Sequence, residues 1–141
     1  MTVASVFKYL GLDTGRRRPT ERDLIEKVRE GLPLDKVRAF LDDWQLTREE
    51  LHRNLHVSRS AWSRKGRNQR LNQAQSERIM RLVEVLALAV EVLGSEELAV
   101  RWLRDPNRAL GNECPMALLD TDTGTRWVEA VLLRIEHGIY S

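Results

Sequence analysis

Helical periodicity recurs along almost the whole chain, and this feature constrains the fold most because no stretch alternates apolar and polar residues as a half-buried strand does. The clearest case lies in residues 35–44. Their apolar positions are spaced i, i+3, i+4 and i+7, so they share one helix face: Val37, Phe40, Leu41 and Trp44. We therefore predict an all-α protein.

Capping residues divide this pattern into separate helices. Thr20 followed three residues later by Asp23 is typical of a helix start, and Gly31 followed by Pro33 is typical of a helix end. The same signals predict helices over residues 35–44, 48–55, 59–65, 73–93, 96–104, 115–119 and 123–137, with Gly138 just beyond the last of them. The polar segment 68–72 is the expected junction between domains of residues 1–70 and 71–141, although the long helix after it could equally join the two halves.

Composition excludes several classes of protein. With 141 residues and 42% hydrophobic content, the chain can build a globular core. Its longest apolar run, 83–93, is interrupted by Glu84 and Glu91 and is too short to cross a bilayer. The N-terminus lacks a signal-peptide pattern, so we expect a cytoplasmic protein. The single cysteine, Cys114, allows neither an internal disulfide nor a cysteine-based metal site.

Charge is distributed unevenly along the chain. Residues 1–76 carry 16 basic and 10 acidic side chains, whereas residues 77–141 carry 7 and 11. The stretch from residue 53 to residue 81 has eight basic side chains against one acid, Glu77. A basic segment beside an acidic one predicts a polyanion at one face and a different partner at another.

Residues 47–66, "TREELHRNLHVSRSAWSRKG", have the pattern of a helix-turn-helix in which Thr47 and Ser58 begin the two helices. The expected buried contacts are Leu51, Leu55, Val57 and Trp62. Two positions depart from the usual pattern: His52 replaces a small residue, and His56 occupies a turn position where glycine is common. The second helix and the residues after it would present the candidate DNA contacts Arg59, Ser60, Ser63, Arg64, Lys65 and Arg67. The alternative is that these cations only solvate a helix face.

No constellation of catalytic residues is visible, so we expect no enzyme, no cofactor and no metal. His52 and His56 are spaced i, i+4 but have no third ligand nearby in sequence. Cys114 has no base beside it in sequence, and Glu136 and His137 are adjacent on a helix and point apart. An enzyme that uses Cys114 or His137 remains a rival hypothesis, which loss of turnover in Cys114→Ala or His137→Ala would support.

The sequence "RIEHGIYS" at residues 134–141 places an apolar and an aromatic residue, Ile139 and Tyr140, directly after the helix stop at Gly138. Such a pair predicts a packing surface, because chain ends are usually polar. It could contact the protein's own core, or it could bind another protein. In the second case the terminal carboxylate of Ser141 could also pair with basic residues of the partner.

Three segments resemble the Xre/ParS/MbcA-type antitoxins: "LNQAQSERIMRLVEVLALAVEVLG" at 71–94, "AVRWLRDPNRALGNECPMALLDTDTG" at 99–124 and "VEAVLLRIEHGIYS" at 128–141. Residues 112–114, Asn-Glu-Cys, depart from the family's more usual Gly-basic-Thr before the proline. Residues 1–45 match nothing that we can name, and we assign them a packing or dimerisation role only.

The resemblance implies an antitoxin of a type II toxin–antitoxin system that neutralises a cognate RES-domain toxin, an NAD-degrading relative of ADP-ribosyltransferases. Its C-terminal end would lie at the toxin active site, and its helix-turn-helix would bind operator DNA, as a homodimer, to repress the operon. Helical spacing assigns eight apolar residues to the core: Trp102, Leu103, Leu118, Leu119, Trp127, Val131, Leu132 and Ile135. The residues left for the toxin are Arg134, Glu136, His137, Gly138, Ile139, Tyr140 and Ser141. The alternative is a helix-turn-helix transcriptional regulator whose C-terminal half only dimerises.

Overall fold

The computed structural model describes residues 2–63 and 69–138 of the chain. Within them it contains seven α-helices and three short 3-10 turns, which confirms the all-α prediction. The helices are α1 (Val3–Tyr9), α2 (Glu21–Glu30), α3 (Leu34–Asp43), α4 (Arg48–Leu55), α5 (Gln73–Leu93), α6 (Glu96–Arg104) and α7 (Asp122–Glu136). The 3-10 turns span Arg59–Trp62, Arg108–Leu110 and Pro115–Leu118.

Local capping chemistry sets most of the helix starts. Thr20, Thr47 and Asn72 each accept a hydrogen bond from the third backbone N–H of their helix, and the side chain at that third position bonds back to the cap. These reciprocal capping boxes satisfy backbone donors that a helix start leaves free. At the other end of α7, Gly138 has a φ of +72°, the left-handed conformation predicted for it.

Helix α5 forms the centre of the molecule, and α1, α2, α6 and α7 all pack against it. Its inward positions are fully buried: Ile79, Leu82, Val83, Val85, Leu86 and Ala89. The sequence did not predict α1, which buries Val6 and Phe7. Just after Phe7, the ring of Tyr9 meets Trp44 edge-on, with centroids 5.0 Å apart. The packing role expected for residues 1–45 is therefore observed, whereas their role in dimerisation stays a prediction.

The backbone of residues 32–34 pairs with that of residues 69–71, just before α5. This pairing fixes the chain at the end of the basic segment. The Leu34 N–H donates to Gln69 O at 2.9 Å, and the Leu71 N–H donates to Leu32 O at 3.0 Å. Gly31 makes this approach possible, since a Cβ on it would lie 2.1 Å from Leu71 O and its φ is +90°. The end of the basic segment is thereby held against the α2–α3 connection.

In the described ranges, no helix combines the length and the apolar character that a membrane span needs.

Candidate functional site

Helix α4 and the turn after it form the first part of the predicted helix-turn-helix. His56 adopts a φ of +55° at the C-terminus of α4, which confirms that a histidine supports this left-handed turn. The predicted buried contacts are confirmed, since each is at most 4% exposed: Leu51, Leu55, Val57 and Trp62. His52 also fits, because it is only half-buried and its Nδ1 lies 3.3 Å from Val57 O, to which an Nδ1–H donates.

The second helix differs from the prediction. A helix was expected over residues 59–65; of these, the described residues 59–63 form a single 3-10 turn at Arg59–Trp62, and Ser63 is not helical. Ser58 makes no cap bond, because its hydroxyl pairs with that of Ser60 at 3.0 Å. In addition, the Arg38 guanidinium of α3 donates to Trp62 O, the acceptor that a continuing α-helix would use. The predicted DNA contacts Arg64, Lys65 and Arg67 lie outside the described residues.

Arg59, the first predicted DNA contact, is held by an ion pair in the free chain. Its Nη2 lies 2.7 Å from Glu49 Oε1, and its Nε donates to Glu49 Oε2 at 3.3 Å. The hydrogen bond from Arg59 lowers the pKa of the Glu49 carboxyl below its usual value. Ser60 and Ser63 are exposed on the same turn. DNA phosphates would therefore have to compete with Glu49 for Arg59.

The helix-turn-helix is tied to the second half of the chain at the start of α4. The Glu50 carboxylate accepts from Arg104 Nε and Nη2, both at 2.8 Å, and Arg104 Nη2 also donates to Gln45 O at 2.6 Å. Burial opposes ionisation of Glu50, but the hydrogen bonds from Arg104 and from the Thr47 backbone outweigh it and hold the pKa below its usual value.

A second tie lies at the turn between the two helices. His56 Nε2 is 3.3 Å from Asp120 Oδ2, and Arg78 of α5 donates to His56 O at 3.1 Å. Arg81, one helical turn further along α5, donates to Leu119 O and Asp120 O at 3.3 and 3.2 Å. The helix-turn-helix is therefore anchored to α5 and to the loop that precedes α7.

Helix α7 carries the predicted binding residues at its C-terminal end. Arg134, Glu136 and His137 are all exposed. The last turn of α7 and Gly138 bring these side chains to one end of the molecule, whereas Ile139, Tyr140 and Ser141 lie outside the described residues. The rotation of α7 is fixed by Gly124, on which a Cβ would lie 2.0 Å from Leu118 O.

The assignment of Trp127 to the core is wrong. Trp127 is 43% exposed, as is Leu133 on the same helix. The other seven core assignments are confirmed. Four of these residues are buried: Leu103, Leu119, Val131 and Leu132. The other three pack against the core and are partly exposed: Trp102, Leu118 and Ile135. Helical spacing misled here because Trp127 lies at the edge of the buried face, which Gly124, Val128 and Val131 define.

Residues that could carry other chemistry are dispersed in the described part of the chain. It holds no group of three or more His, Cys, Asp or Glu side chains that could bind a metal ion. Cys114 is half-buried before the Pro115–Leu118 turn. The pKa of the Glu84 carboxyl is raised, first by burial and then by the like charge of Glu129 on α7.

Two known family domains match this chain. Residues 23–84 match the Antitoxin Xre-like helix-turn-helix domain, and residues 88–138 match the Antitoxin Xre/MbcA/ParS C-terminal toxin-binding domain. The first match overturns the expectation that residues 1–45 match nothing known, since α3 and most of α2 lie within it. The predicted boundary at residues 70 and 71 stays a prediction.

Named relatives cover most of the chain. An Antitoxin Xre of Yersinia enterocolitica is 31% identical over 120 residues, which are 84% of this chain and 81% of the relative. An Antitoxin Xre of Photorhabdus laumondii is 31% identical over 116 residues, 81% of this chain and 78% of the relative. A protein of a Sphingobium species named Prs ADP-ribosylating antitoxin is 28% identical over 129 residues, with coverage of 84% and 81%.

Proposed function

Because this chain belongs to the Xre antitoxin family, with a helix-turn-helix domain and a toxin-binding domain, we propose that it neutralises a RES-domain toxin that degrades NAD. In this proposal the C-terminal end of α7 and the residues after it lie at the toxin active site. The proposed contacts are Arg134, Glu136, His137, Gly138, Ile139, Tyr140 and Ser141.

One observation carries this proposal: the toxin-binding match runs to residue 138 and so includes all of α7 and its exposed C-terminal end. Arg134 makes no ion pair or hydrogen bond with any residue in the described ranges, so its guanidinium is available to an acceptor on a partner. Arginine and tyrosine are the side chains that most often anchor protein interfaces. The Sphingobium relative, named for ADP-ribosylation, supports a toxin of the ADP-ribosyltransferase type.

We further propose that the basic half binds operator DNA as a homodimer and represses the operon from which the toxin is made. The helix-turn-helix domain implies DNA binding. The proposed contacts are Arg59, Ser60, Ser63, Arg64, Lys65 and Arg67, of which Arg59, Ser60 and Ser63 lie exposed in the described part. Two-fold operators need two such readers, which is the reason to expect a dimer. The protein would act in the cytoplasm, as a binding protein and not as an enzyme.

The alternative is a transcriptional regulator whose C-terminal half only dimerises. Co-expression separates the two. Cells that express a cognate RES-domain toxin are given either the full chain or a variant that lacks residues 138–141, and growth and NAD content are measured. The proposal predicts rescue by the full chain, loss of rescue by the truncated one, and unchanged operator binding by both.

The matched control is Arg59→Ala, which should rescue growth while binding the operator more weakly. Equal rescue by the truncated and full chains would exclude a role for the tail. Failure of the full chain to rescue would exclude the RES-domain partner altogether.

A further inference from the structure

Helix α7 exposes two large hydrophobic side chains to solvent. Trp127 and Leu133 are two of the four large hydrophobic side chains exposed in the described part of the chain, and each is 43% exposed. The other tryptophans are more enclosed: Trp44 is 6% exposed, Trp62 is 4% exposed and Trp102 is half-buried. A tryptophan with this much of its surface open to water is a side chain suited to anchor a protein interface.

The position of Trp127 follows from how α7 packs. The helix is attached to α5 through the face where Val128 and Leu132 are fully buried and Val131 is 4% exposed, and Trp127 lies at the edge of that face. The contact of Gly124 with Leu118 O fixes the rotation of the helix at its first turn. This arrangement holds Trp127 outward, so its exposure follows from the packing of α7.

Trp127 belongs to a stripe that leads to the proposed toxin contacts. Trp127, Ala130 and Arg134 are spaced i, i+3 and i+7 and therefore follow one another on the same side of the helix. His137 comes three residues after Arg134 and continues this side. The exposed indole and the arginine two helical turns after it are side chains that often anchor protein interfaces.

We propose that this stripe, defined by Trp127, Ala130 and Arg134, is the docking surface for the toxin, and that Trp127 is its anchor. This proposal rests on the proposed function. The occupant is the toxin and not a second copy, because the stripe lies inside the segment that matches the toxin-binding domain and is continuous with the exposed end of α7. The surface that fits it has an apolar pocket for the indole and, about ten ångströms along the helix axis, an acceptor oxygen for Arg134.

The test measures the affinity of the full-length chain for a cognate RES-domain toxin. The expected effect of Trp127→Ala is a loss of affinity of at least about 30-fold, and that of Arg134→Ala is about tenfold. The matched control is Ile25→Ala, which removes a side chain 49% exposed on α2, outside the toxin-binding match, and should change affinity by less than about twofold. Thermal unfolding of each free variant checks that the fold is kept, and Trp127→Phe should restore most of the binding.

Each outcome bears on one proposal. If the unaltered chain binds the toxin and Trp127→Ala binds equally well, the docking surface is overturned while the proposed function stands. If the unaltered chain does not bind the toxin, the proposed function fails. If Trp127→Ala abolishes self-association of the free chain in sedimentation but leaves toxin affinity unchanged, the stripe belongs to a second copy and the proposal is wrong.

Discussion

The carboxylate of Glu50 accepts two hydrogen bonds from Arg104, both at 2.8 Å, across 54 residues of sequence. The same carboxylate closes the capping box of α4 by accepting from the Thr47 N–H at 3.0 Å. One side chain therefore starts the first helix of the helix-turn-helix and attaches it to α6 in the second half of the chain.

Replacing Glu50 with Gln should lower the free energy of unfolding by about 1 kcal/mol at neutral pH, a value reduced for the partial exposure of Arg104. The folded chain lowers the pKa of Glu50, so its contribution is present above the unfolded pKa and is lost as the pH falls below it. The difference between the variant and the unaltered chain should therefore be largest near about pH 7 and small near about pH 3. Urea unfolding at several pH values measures it. The control is Glu97→Gln, which removes an exposed carboxylate from α6; a Glu50→Gln difference that does not depend on pH would contradict the prediction.

Replacing Glu49 with Gln should strengthen DNA binding. The change releases Arg59 from its ion pair and makes its guanidinium available to a phosphate. We expect about a threefold to tenfold gain in affinity for DNA from the chain's own promoter, measured by fluorescence anisotropy, and a salt dependence steeper by up to about 0.9 in log–log slope. Glu97→Gln makes the same change in net charge elsewhere and should have a much smaller effect. Equal gains in the two variants would show that only overall charge matters.

Replacing Gly124 with Ala should destabilise the chain by about 1 to 3 kcal/mol, since the new methyl group would overlap the Leu118 carbonyl. Because this contact also sets the rotation of α7, affinity for the toxin should fall as well. Thermal unfolding and toxin binding measure the two effects. Thr123→Ala, at the neighbouring exposed position, is the control and should change both only slightly. An unfolding temperature for Gly124→Ala equal to that of the control would refute the close contact.

Replacing Glu84 with Gln should stabilise the chain, by about 0.5 kcal/mol after allowance for partial exposure. Burial, and then the nearby Glu129, raise the pKa of Glu84, so its ionised form is disfavoured in the folded state. A raised carboxyl pKa means that stability is lost as the pH rises through the unfolded and then the folded pKa, and the gain in the variant should grow over that range. Denaturant midpoints at acidic and neutral pH test this, with the exposed Glu77→Gln as the control. A gain that is the same at both pH values would count against the assigned cause.

The sequence predicted those parts of the fold that depend on local chemistry. The capping residues Thr20, Thr47 and Asn72 mark helix starts because a cap needs only residues within one turn of it. Helix α1 was missed because its seven residues are short for a helix and pack mainly against α5, a distant element.

The site was predicted less completely, because it depends on contacts between distant residues. The second helix of the helix-turn-helix was predicted from Ser58, which resembles a helix cap. The sequence does not show that Arg38 of α3 donates a hydrogen bond to Trp62 O, an acceptor that a longer helix would use. Trp127 was placed in the core because periodicity identifies the apolar side of a helix but not the edge of the buried face. Its exposure depends on how α7 packs against α5, a contact that only the folded chain brings together.

The proposed binding of α7 to a toxin is tested most directly by the structure of the chain in complex with a cognate RES-domain toxin. We expect the stripe of Trp127, Ala130 and Arg134 to be buried against the toxin and Tyr140 to lie in the toxin's NAD-binding cleft. A complex in which α7 faces solvent and Tyr140 lies far from that cleft would contradict it.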